Sequence, residues 1–412
     1  MPEPFAPTRA AALARIAAVQ PAAYARTRNA LDGAVSGLSP YLTHGLVTLA
    51  EVLASVALRH GLSVQHKFVF ELGWRAYFRH VWQHRADGIL RSLHPGPLPD
   101  AAYATALPDD IRQGRSGVPV IDEAVRTLYA TGMLHNHARL WLASYLVHVR
   151  KLHWRCGADW LYGHLLDGDL ASNHLSWQWV AGTGSRKPYL FNADNVARHA
   201  PAAWHSPGTV IDASYEALDR LARDPGLPAA GPLPTDTHRP LVPEPALTAE
   251  PPADLQSLAP DPALVRGRNV WLVHPWNLGP LPALPADTLV LGLFVSDFHQ
   301  AWPWSPRRWH FVGRRMAELT AQRWWGPAAD IGTALAGARR VRSIDEPHLA
   351  PWLARWADCH EAPAVFPTVD GRCDSFSAWW TRATRGLQSA ADLPGATTVA
   401  EAGPAPGQPR AS

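Results

Sequence analysis

The stretch LLDGDLASNHLSWQWVAGTG, Leu165–Gly184, combines side chains with opposite requirements. It places Asp167, Asp169, an Asn-His pair, Trp177 and Trp179 within thirteen residues. A buried helix would avoid the carboxylates, because an unpaired charge is costly to bury, whereas a solvated loop has little use for two indole rings. The stretch therefore predicts a bound molecule that contacts both kinds of side chain.

Length and composition limit the class of protein. A chain of 412 residues favours two domains, and it contains no apolar stretch of about 18 residues that would span a membrane. The N-terminus, MPEPFAPTRAAALARIAAVQP, lacks the basic start, apolar run and cleavage site of a signal peptide. The three cysteines are too few for a four-thiolate metal site and suit a reducing compartment. We therefore expect a cytoplasmic protein without a membrane span or a metal ion.

Charge and tryptophan content leave two interpretations open. Residues 1–200 carry a net charge of +6 and the remainder −3, and nearly all the cations are arginines, which suit forked phosphate contacts. A basic first half is compatible with nucleic acid, but ordinary solvated surfaces are also basic. Most of the 19 tryptophans serve packing, and those beside acids are candidates for a stacking surface or an electron carrier.

The proline distribution predicts the domain organisation. The segment 224–262 contains eleven prolines and little periodic hydrophobicity, which is typical of a stiff, extended linker. It separates a helical domain, 1–223, from a small α/β domain, 263–390. The tail, 391–412, is predicted to be disordered.

Hydrophobic periodicity predicts the type of each domain. Apolar residues recur at helical spacing in LVTLAEVLASVALRHG, HKFVFELGWRAYFRHVWQHR, PVIDEAVRTLYATG and NHARLWLASYLVHVRKLHW. In the second domain, NVWLVHP (Asn269–Pro275) and TLVLGLFVS (Thr288–Ser296) are short β-branched runs that indicate buried parallel strands. A helix is expected to follow, with Ser305 as its N-cap and Pro306 at its first position.

Four segments of the first domain resemble the FAD-binding domain of the photolyase/cryptochrome family: VSGLSPYLTHG, FELGWRAYFRH, TGMLHNHARLWLASYL and LLDGDLASNHLSWQWVAGTG. Their order and separations also match, from about Tyr24 to Asn192. The resemblance implies a mainly α, photolyase-like domain with FAD folded in a central cavity, plus a small C-terminal α/β domain. That family begins with an α/β antenna domain, which the segment 263–390 loosely resembles, so the domain order is expected to be exchanged here.

The resemblance also implies which residues hold FAD. Residues 35–39, VSGLS, correspond to a pyrophosphate cradle, although by itself this segment is better explained as an ordinary helix cap with Gly37 as a turn residue. Asp167 paired with Arg139 would fix the flavin edge, Asp169 would accept from the flavin N3–H or the adenine, and Asn173 would face the flavin N5. The complete set of expected cofactor residues is Tyr24, Val35, Ser36, Gly37, Leu38, Ser39, Phe68, Arg139, Asp167, Gly168, Asp169 and Asn173.

A second group of residues corresponds to the family's substrate pocket. Glu71 would hydrogen-bond a damaged pyrimidine, and Trp74 and Trp179 would stack on it. Asn136 corresponds to an amide that binds flavin and lesion in enzymes for cyclobutane dimers, where enzymes for (6-4) lesions carry histidine. Without the resemblance, the favoured explanation of Glu71 and Arg75 is a surface ion pair, one helical turn apart, over an apolar Trp74.

Trp177 and Trp154 correspond to the inner members of the family's photoreduction chain. The place of the outermost member falls near Tyr103. Two departures from the family concern DNA: His137 stands where an arginine is usual, and the chain after Tyr189 is shorter than the family pattern. The sequence therefore predicts a light-driven photolyase acting on pyrimidine dimers in UV-damaged DNA. A cryptochrome-like photoreceptor without repair, signalling to a protein partner, is the alternative.

Overall fold

The fold of the first domain is helical, as the periodicity predicts. A computed structural model describes residues 5–225 and 240–401. The helices of the first part are α1 (Arg9–Ala18), α2 (Pro21–Thr27), α3 (Ser39–Thr43), α4 (Leu49–His60), α5 (Lys67–Arg85), α6 (Asp109–Arg112), α7 (Pro119–Thr131), α8 (Asn136–Ser144), α9 (Trp154–His164), α10 (Leu170–Ala181), α11 (Ala193–His199) and α12 (Tyr215–Arg223).

Local signals set the ends of the predicted helices. At the start of α4, Thr48 and Glu51 form a reciprocal capping box, and at its end Gly61 adopts the left-handed conformation. Helix α7 begins at Pro119 and ends before Gly132, which is also left-handed. The segment predicted as one continuous helix after Asn136 instead ends α8 at Ser144 and passes through one π-helical turn, Tyr145–Val149.

The second domain contains a five-stranded, fully parallel sheet in the order β3-β2-β1-β4-β5. Both predicted strands are confirmed, and so is the helix capped by Ser305, whose Oγ accepts from the N–H of Arg308. The elements of this part are α13 (Pro262–Val265), β1 (Asn269–Val273), β2 (Leu289–Val295), α14 (Ser296–Ala301), α15 (Pro306–Leu319), β3 (Arg323–Gly326), α16 (Ala328–Leu335), β4 (Arg340–Ile344), α17 (Ala350–Trp356) and β5 (Asp358–His360).

The chain after β5 returns to the helical domain, which differs from the boundary at 390 that we predicted. Helix α18 (Phe376–Ala383) packs on α5, and α19 (Pro394–Glu401) packs on α4. A Cβ atom at Gly73 of α5 would lie 2.3 Å from the Trp380 ring. The indole can therefore pack against α5 only because Gly73 has no side chain. The prediction of disorder was wrong for 394–401, because Ala396 and Gly395 are buried there, and residues 402–412 lie outside the described residues.

Part of the proline-rich segment is fixed along both domains. Residues 226–239 of the predicted linker lie outside the described residues, whereas 240–262 form an extended strap. The N–H of Val242 donates to Gln113 in the helical domain, and Thr248 forms a bridge with Trp304 beside the sheet. The strap therefore connects the two domains by hydrogen bonds as well as by chain continuity.

Two hydrophobic clusters hold these parts together. One extends from α1, α4 and α5 through β1 and β2 to α15 and α18, and the other lies among α7, α8, α9 and part of α10. The two domains therefore share a core. Within the described ranges, every helix is too short or too polar to span a bilayer.

Candidate functional site

A cavity of about 210 Å³ lies where α5, α8, α9 and α10 converge. Its lining consists of Ser39, Arg75, Phe78, Asn136, Arg139, Leu140, Ala143, Leu161, Leu165, Asp167, Ser172, Asn173, Ser176, Trp177 and Val180. Several of these are residues to which the sequence assigned a role: Ser39, Asn136, Arg139, Asp167, Asn173 and Trp177. The segment 165–184 thus contributes to the cavity wall, and the bound molecule that its mixed composition indicates stays a prediction.

An ion pair anchors this wall. Nη2 of Arg139 donates to both carboxylate oxygens of Asp167, at 2.9 and 2.8 Å, and only 4% of the Asp167 side chain is exposed. Burial alone would raise the pKa of Asp167, but the Arg139 guanidinium outweighs it and holds the pKa below the usual value. The carboxylate is therefore charged at neutral pH and fixes the direction of the Arg139 side chain.

Arg75 is a functional candidate that sequence reasoning missed. It lines the cavity and donates through Nη2 to Thr43 Oγ1 at 2.8 Å, whereas Glu71 pairs with Arg28 at 3.4 Å. The surface pair Glu71–Arg75 is therefore absent. Arg75 lies one helical turn after Glu71 and one turn before Arg79, so all three residues share one face of α5. This spacing was the sequence signal that could have identified Arg75 as a cavity residue.

Helix α10 presents three polar side chains to the cavity, Ser172, Asn173 and Ser176. Nδ2 of Asn173 donates to the backbone oxygen of Ala158 at 2.8 Å, so its carbonyl oxygen is the atom available to a ligand. The hydroxyl of Ser172 is buried and has no partner among the described residues. A buried hydroxyl without a partner is costly, and a bound polar molecule would relieve this cost.

Asp169 and Gly168 have hydrogen-bond partners within the protein. Asp169 does not line the cavity. Its carboxylate accepts from the N–H of Ser172 at 2.8 Å as the N-cap of α10 and from Arg79 at 2.9 Å. Gly168 lies under Arg308, whose Nη2 donates to its carbonyl oxygen at 2.6 Å. Both residues therefore hold the turn before α10, and the expected contact of Asp169 with the flavin or adenine stays a prediction.

The other expected cofactor residues lie earlier in the chain than the helices α8, α9 and α10. Tyr24 packs edge-on against Phe68, with ring centroids 5.4 Å apart, and Phe68 is only 2% exposed in the core. In the segment 35–39 only Ser39 lines the cavity. Gly37 has a φ of +60°, and an added side chain there would meet Arg15. Leu38 is buried, Ser36 is partly buried, and Val35 is exposed.

The expected substrate residues fall at different distances from the cavity. Asn136 lines it, whereas Glu71 and Trp74 lie on α5 beside it. The Trp74 ring stacks on Phe376 of α18, with centroids 4.0 Å apart and planes 11° apart. Trp179 is 38% exposed, and its ring contacts that of Tyr189, with centroids 5.4 Å apart. The structure therefore presents Trp179 to solvent and covers one face of Trp74.

Glu71 is also in an environment that changes its ionisation. Burial raises the pKa of the Glu71 carboxyl, and Arg28 reduces this rise. A carboxyl with a raised pKa is more readily protonated and can then donate a hydrogen bond.

The expected electron carriers are aromatic side chains of α9 and α10. Trp177 lines the cavity, and Trp154 is buried, with Nε1 donating to Ser92 Oγ at 3.0 Å. The His153 ring lies 5.8 Å from Trp154 and 6.3 Å from Tyr103. Tyr103 is therefore connected to Trp154 through His153, which the sequence alone did not reveal.

His137, which replaces a usual arginine, is engaged within the protein. Its ring stacks on Trp141, with centroids 5.6 Å apart, and on His199 at 5.3 Å. It also hydrogen-bonds the backbone oxygen of Asn29. Burial lowers the pKa of His137, so this position lacks the permanent charge that an arginine would bring.

Residues 68–203, which supply most of the cavity wall, match the family model described as the FAD binding domain of DNA photolyase. Over these residues the chain is similar to the FAD-binding domain of the DNA photolyase/cryptochrome family. The match contains α5, α8, α9 and α10, the helices that enclose the cavity. The small α/β domain lies outside it.

Individual relatives cover only part of the chain. It is 38% identical to the deoxyribodipyrimidine photo-lyase of Streptomyces griseus over 37% of this chain and 33% of that protein. It is 33% identical to cryptochrome-1 of Arabidopsis thaliana over 39% of this chain and 25% of that protein. The Synechocystis cryptochrome structure aligns at 28% identity with a TM-score of 0.42, covering 47% and 43% of the two chains. The chain spans about a third of the length of the first of these relatives.

The residues of the cavity fit the FAD that this family binds. Arg75 and Arg139 supply positive charge, and Asn173 supplies an amide. The buried hydroxyl of Ser172 is without a partner among the described residues, as expected of a group that contacts a ligand. FAD carries phosphate oxygens, a polar ring edge and an apolar ring face, and the lining offers a match to each.

Proposed function

We propose that this protein is an FAD-dependent, light-driven photolyase that splits cyclobutane pyrimidine dimers in UV-damaged DNA. The observation that carries the proposal is the position of Asn136 in the same cavity wall as Asn173 and the Arg139–Asp167 pair. An amide there is able to hydrogen-bond the cofactor and a base brought against it. Deoxyribodipyrimidine photo-lyases, such as the relative from Streptomyces griseus, support the same assignment.

The proposed chemistry divides between cofactor and protein. FAD, when bound and reduced, would supply light-driven electron transfer to the dimer and recovery of that electron. Arg139, kept in place by Asp167, would hold the flavin edge. Asn173 would face the flavin N5 with an amide, which is a poor proton source at neutral pH.

The proposed substrate contacts lie at the edge of the cavity. Trp179 is exposed and would stack on an extruded base, an interaction worth about 1–3 kcal/mol per base. Glu71, with its pKa raised by burial, would donate a hydrogen bond to the pyrimidine. Trp74, one face of which Phe376 covers, is the other ring expected to stack on the base. Trp177 and Trp154 would carry electrons inward when the flavin is oxidised.

One observation favours a second candidate, a blue-light photoreceptor without repair activity that signals to a protein partner. Phe376 of α18 is stacked on Trp74, the ring expected to face the lesion. His137 also removes a permanent charge from the expected DNA side. Cryptochrome-1 of Arabidopsis thaliana is among the relatives.

A repair assay separates the two candidates. The FAD-loaded, photoreduced protein is mixed with UV-irradiated single-stranded and double-stranded DNA, and the loss of dimers under blue light is measured. We expect repair by the wild type. The substitution Glu71→Ala should reduce the repair rate by about tenfold or more, since one hydrogen bond to a charged group is worth about 1.5–3 kcal/mol, and FAD should remain bound.

The control is Glu216→Ala, which removes an exposed carboxylate from α12 and should repair at the wild-type rate. Light-driven changes of the flavin spectrum without loss of dimers in either DNA would reject the photolyase proposal and favour the photoreceptor.

A further inference from the structure

A second cavity, of about 150 Å³, lies where the helical domain, the proline-rich strap and α15 meet. It is lined by Leu128, Tyr129, Gly132, His164, Pro245, Ser305, Pro306 and Arg307. No lining residue is shared with the flavin cavity. Its existence depends on the second domain, since three of these residues belong to the start of α15.

Two buried polar atoms in this cavity lack hydrogen-bond partners in the described part of the chain. They are the hydroxyl of Tyr129 and Nδ1 of His164, on side chains that belong to residues 8% and 2% exposed. The other ring nitrogen of His164 lies 2.9 Å from Oε1 of Glu244. With Nε2 donating to that carboxylate, Nδ1 carries a lone pair and accepts a hydrogen bond.

The cavity also holds a positive charge. The Arg307 side chain lines it, and no ion pair or hydrogen bond of this side chain occurs within residues 5–225 and 240–401. Its backbone N–H belongs to the first turn of α15, where N–H groups have no acceptor within the helix. The nearby charge of Glu244 is already balanced by Arg112, at 2.5 Å.

We propose that this cavity binds a phosphate group that carries a proton. Arg307 and the first turn of α15 would donate to its oxygens, Tyr129 would donate through its hydroxyl, and His164 Nδ1 would accept from the P–OH group. Carboxylates and sulfate lack such a proton at neutral pH and leave the His164 atom unsatisfied. The apolar walls at Leu128 and Pro245 limit the ligand to a small molecule.

Thermal stability tests the site with protein that is loaded with FAD, so that the first cavity is filled. Inorganic phosphate is titrated at constant ionic strength, with sulfate and acetate as comparison anions and glycerol 3-phosphate as the ester. A ligand that binds the folded state raises the Tm with its concentration. We expect a rise with phosphate that sulfate and acetate do not reproduce. A rise with the ester as well would identify a phosphate monoester as an acceptable source, and a rise with inorganic phosphate alone would identify the free anion.

Two variants locate the effect. Tyr129→Phe removes only a hydroxyl that lacks a partner, so without phosphate it should be as stable as the wild type, and Arg307→Gln removes the cation. Each should weaken phosphate binding by about tenfold or more, as the loss of a charge-assisted hydrogen bond predicts. Arg314→Gln, an exposed position on the same helix, is the matched control and should bind as the wild type does.

The proposal is overturned if phosphate does not stabilise the wild type beyond sulfate. It is also overturned if both Tyr129→Phe and Arg307→Gln keep the full phosphate-dependent rise. In those cases ordered water satisfies the two buried atoms.

Discussion

Asn173 is held in the cavity wall by a single hydrogen bond from its Nδ2 group to Ala158. This bond determines which atom of the amide remains for the cofactor. A carboxylate at this position would bring a negative charge toward the carbonyl oxygen of Ala158 and would offer a proton when it is protonated. The residue type therefore bears on the protonation state of the flavin and only weakly on the fold.

We expect Asn173→Asp to change the flavin species that accumulates under light. The absorption spectrum during anaerobic photoreduction is the measurement, with the wild type expected to reach the fully reduced state. Asn192→Asp is the control, because Asn192 caps α11 outside the cavity and asparagine and aspartate are equivalent caps. Identical spectra for Asn173→Asp and the wild type would show that this amide does not control the flavin.

At the scale of elements, the distance between α9 and α10 depends on one residue without a side chain. A methyl group at Gly157 of α9 would come within 2.4 Å of the Trp177 ring of α10. No such contact can be accommodated without moving the indole, because packed interiors have little free space. Gly157 therefore fixes the position of the ring that lines the flavin cavity.

Gly157→Ala should displace Trp177, destabilise the fold by about 1–3 kcal/mol, and slow the photoreduction of FAD. Urea unfolding and the rate of flavin reduction under steady light measure the two effects. Gly88→Ala is the matched control, since its nearest contact would be an ordinary 3.5 Å. An unchanged photoreduction rate in Gly157→Ala would exclude Trp177 as the inner electron carrier.

The sequence predicted individual helices and strands better than it predicted which of them pack together. Ser305 and Pro306 marked the start of α15 correctly, because a cap is a local signal. The return of α18 to α5 was not predicted, since Phe376 and Trp380 give an apolar helix face that fits either domain. Six residues that the resemblance singled out line the cavity, namely Ser39, Asn136, Arg139, Asp167, Asn173 and Trp177, and their contacts with FAD stay predictions. Arg75 was missed. Its role depends on Thr43, thirty-two residues away, and pairings at that distance leave no local pattern.

The two domains of the molecule are joined by a charged network beside the flavin cavity. Arg79 of α5 donates to Asp169, before α10, at 2.9 Å and to Glu346, after β4, at 2.7 Å. His348 lies 2.5 Å from Glu346, and its Nε2 accepts from the N–H of Leu170. The α/β domain therefore supports the turn that carries Asp167. The sequence could not indicate this network, because its residues lie up to 267 positions apart in the chain.

This network predicts a loss of stability in acid. Burial alone would raise the pKa of Glu346, but Arg79 and His348 lower it from 4.5 to about 2. The contribution of Glu346 is therefore complete above the pKa of the unfolded chain, near 4.5, and is lost as the pH falls toward 2. Its size is on the order of 3 kcal/mol. Burial also lowers the pKa of His348, so protonation of this histidine in the unfolded chain likewise reduces stability as the pH falls.

Glu346→Gln isolates this contribution from the other acid-sensitive groups. The variant should be less stable than the wild type at pH 7, and the difference should shrink as the pH is lowered from 5 toward 3, because Glu346 is then protonated in the unfolded wild type. Urea unfolding at each pH is the measurement. Asp358→Asn breaks an exposed pair with Arg340, worth about 0–1 kcal/mol, and should give a small difference at every pH. A Glu346→Gln difference that stays constant between pH 7 and 3 would mean that the carboxylate charge does not stabilise the contact between the domains.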